Sequence, residues 1–96
     1  MEQRTIILDI TNCKDLNDLH KKIKVAFDFP DFYGENWDAF WDLLHTECDA
    51  EKLKIRGVHT LPEKLLPHFK ILCEILKRNQ EEAAQYGWQF EYELID

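Results

Sequence analysis

The sequence predicts a small α/β fold, and three observations carry that reading. Strand-like runs stand near both ends and in the middle, at Thr5–Ile10, Lys52–Val58 and Trp88–Leu94. The stretches between them repeat their apolar residues at helical spacing. Strands separated in this way pair in parallel through right-handed crossovers. The third observation is size: 96 residues, 45% hydrophobic and 32% charged, with no repeat or low-complexity tract, read as a single domain over residues 1–96.

Each element has its own local reason. Thr5 to Ile10 is β-branched and reads as a buried strand. After a turn at Thr11 to Lys14, Asp15 or Asn17 is placed to cap a helix by accepting an orphan N–H. Leu16, Leu19, Ile23, Ala26 and Phe27 form its inward stripe, and Lys21, Lys22 and Lys24 face water. Pro30 ends this segment, and a short loop to Gly34 feeds a second helix, expected at roughly Glu35–His45. Lys52 to Val58 alternates polar and apolar residues as a second strand. Leu61 to Leu66 reads as a helical turn interrupted at Pro67, followed by a long helix from His68 to Tyr86 with Gly87 at its C′ position. Its inward candidates include Phe69, Leu72, Cys73, Leu76 and Ala83. Trp88, Phe90, Tyr92 and Leu94 alternate with polar residues and predict a last strand covered on one face.

Charge and cysteine usage narrow the function. A net charge of −7 argues against nucleic acid as a direct ligand, because phosphate binding needs a basic footprint. Cys13, Cys48 and Cys73 are odd in number and lack CxxC spacing, which points to reduced core or surface thiols and a cytoplasmic protein. The apolar run after Met1-Glu2-Gln3-Arg4 is too brief for a secretory signal, and nothing approaches a membrane span. His20, His45, His59 and His68 show no metal-ligand spacing and read as surface or satisfied core histidines. No cofactor is expected.

The informative stretch is Phe29 to Leu44, FPDFYGENWDAFWDLL. From Asp28 through Asp42 it carries five carboxylates and no Lys, Arg or His, threaded among Phe29, Phe32, Tyr33, Trp37, Phe40 and Trp41. At about 100° per residue, Trp37, Phe40, Trp41 and Leu44 fall on one side of the second helix, and Glu35, Asp38 and Asp42 on another. Trp41 lies at the margin. Like charges four apart cost a few tenths of a kcal/mol, and Asp42, towards the C-terminal part, gains nothing from the helix dipole. Local stability therefore gives no reason for Asp42.

Tyr33-Gly34-Glu35-Asn36-x-Asp38-Ala39-x-Trp41-Asp42-x-Leu44, preceded by Pro30, resembles the signature of the barstar family, intracellular inhibitors of barnase-type ribonucleases. The likeness runs upstream through Asp18-Leu19-His20 and covers about a third of the chain. It implies a three-stranded parallel sheet with helices packed on it, and an acidic plug for a nuclease active site. On that resemblance Asp42 takes the place of a substrate phosphate and Asp38 pairs with a neighbouring basic residue of the nuclease. Gly34 and Asn36 contribute backbone contacts, and Phe32, Tyr33 and Trp41 pack at the interface. Glu82 is the best match to a farther acid on the last helix. The implied partner is a basic ribonuclease, or the nuclease domain of a toxin, bound one to one without catalysis. Phe32 replaces a Tyr of the reference inhibitor, and His45-Thr46-Glu47 replaces Thr-Gly-Trp, so the rim differs. Two other readings stay open: a module of the same fold for a basic partner that is not a nuclease, and a small metal-dependent hydrolase using Asp38 and Asp42.

Overall fold

The computed structural model describes residues 4–46 and 50–95; Glu47 and Cys48, named above, lie outside them. The elements run β1 (Thr5–Asp9), α1 (Leu16–Phe27), α2 (Trp37–Thr46), β2 (Lys52–Arg56), α3 (Leu66–Gln85) and β3 (Glu91–Ile95). Two 3₁₀ turns, Val58–Thr60 and Glu63–Leu65, lie between β2 and α3. The three strands form one sheet in the order β1-β2-β3, parallel throughout. Ile6, Leu53 and Tyr92 share one register row, and Ile7, Lys54 and Glu93 the next.

Both crossovers step across the sheet in the same direction. Crossovers of one hand that step the same way lay their helices on the same face. Burial agrees: Ile6, Leu8, Leu53 and Ile55 are buried, whereas Ile7, on the opposite face, is 53% exposed. That open face is held by charge instead, with Lys52 and Lys54 at 3.6 and 3.9 Å from Oε1 of Glu93. A parallel sheet with one solvated face is unusual, and the polar rows of β2 and β3 make it tolerable.

α1 starts at Asp15, whose carboxylate accepts from the Asp18 N–H at 2.8 Å while Asp18 accepts from Lys14 N at 3.2 Å. Asp15 thus satisfies one orphan donor of the helix, and Asp18 ties back the residue before the cap. It ends at Asp28, in the left-handed region at φ 55°. The helix buries Leu19, His20, Ile23 and Phe27.

Three expectations shift. α2 begins at Trp37, not Glu35. Asn36 is the capping residue, its Oδ1 accepting from Ala39 N at 2.8 Å, and Glu35 precedes it at φ 52°. Pro67 does not interrupt the last helix; it sits in the first turn of α3, where its missing N–H has no intrahelical acceptor to serve. The final strand starts only at Glu91, and Trp88 and Leu94 are 68% and 54% exposed. The cause is the end of α3: Gly87, at φ 77°, and Trp88 donate to Ala84 O at 3.3 Å and Ala83 O at 2.8 Å, capping the helix. Trp88 N–H is thereby committed to the helix, and β3, at the sheet edge, is only partly covered.

Candidate functional site

The dense aromatic and acidic segment places three of its rings inside and its acids outside. Phe29, Tyr33 and Phe40 are buried, with Phe29 at 5.1 Å from both Phe27 and Tyr33 and Phe27 edge-on to Phe40 at 5.6 Å. Burying Phe40 completely stabilises by roughly 2–3 kcal/mol. These rings tie the α1–α2 loop to the core. The acids are then projected outward from a fixed base.

Asp38 and Asp42 are both exposed on α2, on the side opposite the buried Phe40, Leu43 and Leu44. Among the described residues, no Lys or Arg comes within ion-pair distance of Asp38, Asp42 or Glu35. Of the five clustered acids, Asp31 is engaged, at 3.5 Å from Lys24 Nζ. The negative charge of α2 is therefore uncompensated and reachable.

Trp41 is half-buried at the edge of this arc. His45 packs at 4.6 Å from its ring and donates Nδ1–H to the Trp41 carbonyl at 2.6 Å. From α3, the Arg78 guanidinium lies over the indole at 4.7 Å, and its Nε is 3.9 Å from Oε1 of Glu82. Glu82 is thus linked to the α2 surface through Arg78. Phe32 is 76% exposed, and Gly34 is exposed beside it. The Asn36 side chain is spent on structure, capping α2 with its oxygen and donating Nδ2–H to Gly34 O at 3.2 Å.

Tyr33 departs from the surface role expected of it. It is 5% exposed, and its hydroxyl shares a 2.7 Å hydrogen bond with Nδ1 of buried His20. Burial, reinforced by the nearby charge of Glu35, holds its phenol well above the usual range. The ring faces inward because it completes the aromatic cluster under the loop. His20 is likewise kept neutral by burial, opposed by Glu35 and assisted by His68. Sequence reasoning had no means of seeing Arg78, since its spacing to Glu82 is local but its contact with Trp41 joins two helices.

A surface cleft of about 710 Å³ opens beside this region, bordered by His45, Glu51, Asn79, Glu82, Tyr86 and Trp88. Asp38 and Asp42 are not among its walls. Among the described residues, no three His, Cys, Asp or Glu side chains converge as a metal-binding group. Nor is any helix there long and apolar enough to cross a membrane.

A parallel three-stranded sheet with helices on one face, presenting an acidic helix arc that has no ion-pair partner among the described residues, is consistent with the barstar-like class of protein. The chain belongs to the barstar family: the family described as Barstar (barnase inhibitor) matches residues 3–95. It is also similar to the "Putative ribonuclease inhibitor YrdF" of Bacillus subtilis (strain 168), at 46% identity over 41 residues. That likeness spans 43% of this chain and 45% of the relative, less than half the relative's length.

Proposed function

We propose that this chain inhibits a basic ribonuclease, binding one to one and blocking the active site with α2 and the loop before it. The observation that carries the reading is the exposure of Asp38 and Asp42 with no Lys or Arg at ion-pair distance among the described residues. A ribonuclease must keep a cationic cleft to hold a polyanion, so an anionic helix matches what the enzyme cannot discard. Asp42 stands in for a phosphate, Asp38 engages a neighbouring basic residue of the enzyme, and Phe32 and Trp41 supply apolar contact around them. Glu82 extends the anionic surface onto α3. No bond of the substrate is broken by this chain; it acts by occupation.

Family membership and the ribonuclease-inhibitor name of the Bacillus relative support the reading. The test is inhibition of RNA cleavage by a barnase-type ribonuclease titrated with the purified chain. Stoichiometric inhibition is expected. Asp42→Ala should weaken binding by at least about 30-fold, the free-energy scale of an interface hot spot. Full cleavage activity at a large excess of the native chain would sink the proposal. Calorimetric titration with Mg²⁺ or Mn²⁺ addresses the hydrolase alternative, which requires metal binding that Asp38→Asn and Asp42→Asn abolish.

A further inference from the structure

One cation of the chain stands on the very face that the inhibitor reading reserves for anions. Arg78 projects from α3 onto Trp41 of α2, 4.7 Å from the ring centroid, with Glu82 one turn along the same helix. A planar guanidinium suits both contacts, stacking by its face and donating from its edge. The core does not require it. Arg78 is 68% exposed, while α3 is anchored through Leu72, Leu76 and Ala83.

We propose that Arg78 is a specificity determinant, an internal cation that decides which basic partners the acidic face accepts. The inference rests on the ribonuclease-inhibitor reading. Asp38 and Asp42 attract any cationic cleft, but a partner seated over Trp41 and Asp42 also meets the Arg78 guanidinium. It must present an acidic group or another acceptor there, or drive Arg78 off the indole and lose the stacking. Partners lacking that acceptor are rejected by like charge, a repulsion that becomes costlier as water is expelled. Attraction is thus general and admission selective.

Association kinetics with barnase as the basic probe test this, for the native chain, Arg78→Ala, Lys77→Ala, Trp41→Ala and the Arg78→Ala/Trp41→Ala pair. Lys77 is an exposed neighbour on α3 and controls for net charge alone. Arg78→Ala is expected to associate faster and bind more tightly, by roughly three- to tenfold at low salt. The Lys77→Ala gain should be clearly smaller, and the Arg78→Ala gain should shrink in the Trp41→Ala background. Unchanged or weaker binding by Arg78→Ala, or an equal gain in Lys77→Ala, overturns the role of Arg78 while leaving the inhibitor reading in place. If neither the native chain nor Arg78→Ala inhibits, both proposals fall together.

Discussion

Asp42 and Tyr33 lie in one short segment, yet they carry opposite obligations. Asp42 is exposed, without an ion-pair partner among the described residues, and four residues from another acid on the same helix. Removing its charge should leave stability unchanged or raise it by a few tenths of a kcal/mol, because a like-charge repulsion disappears. A thermal melt of Asp42→Asn checks this, and a marked fall in Tm would mean the carboxylate serves the fold. Tyr33 is the reverse case. Tyr33→Phe strands the buried His20 Nδ1 and should cost about 1–2 kcal/mol in denaturant unfolding. His20 also sets a pH dependence. Burial holds its folded pKa below the unfolded value of about 6.5, so the unfolded chain takes up the extra proton as pH falls. The stabilisation is complete above about pH 6.5 and is lost as pH drops through the folded pKa. Tm should therefore decline from neutral to mildly acidic pH. His20→Gln should flatten that decline, and a slope that persists undiminished would exclude His20 as its source.

At the scale of elements, two glycines separate backbone strain from steric closure. Both have positive φ, 90° at Gly57 and 77° at Gly87. A Cβ on Gly57 would fall 2.3 Å from Thr11 Oγ1 and 2.6 Å from Thr11 N, where the end of β2 meets the chain leaving β1. A Cβ on Gly87 meets nothing within 4 Å. Gly87→Ala should thus cost about 1 kcal/mol of left-handed strain alone. Gly57→Ala should cost about 3 kcal/mol or more, since backbone must move as well. Paired urea titrations measure the difference, and equal midpoints would show that the Thr11 approach is not tight. The capping glycine was legible in the sequence because it follows a long periodic helix. The close approach at Gly57 was not, because Thr11 lies 46 residues away. Pro67 shows a related ambiguity: a proline marks either the end of a turn or the first turn of a helix, and only the path of the backbone distinguishes them.

For the whole molecule, the net charge of −7 makes association with a basic partner a long-range event. Association rate should fall by on the order of tenfold or more between about 0.02 M and 0.5 M NaCl, while dissociation changes far less. Stopped-flow mixing with barnase reads both rates. A salt-independent association rate would mean the acidic face does not steer the encounter. The same architecture explains how the face is free to act. Both crossovers place their helices on one side of the sheet, so α2 and α3 pack side by side and share an outer surface, while the opposite face stays open to solvent and carries lysine–glutamate pairs.

The amino-acid sequence alone determined the α/β class, the order of strands and helices, and the placement of Asp38 and Asp42 on one helical arc. Those features follow from local periodicity and composition, which need no long-range information. Only the tertiary structure decided that Tyr33 turns inward to His20, that β3 is partly uncovered, and that Arg78 of α3 rests on Trp41 of α2. The first and last are contacts between residues of different elements, fixed by how α1, α2 and α3 pack on one face of the sheet, and no spacing along a single element encodes them; the uncovered β3 follows from how the end of α3 is capped.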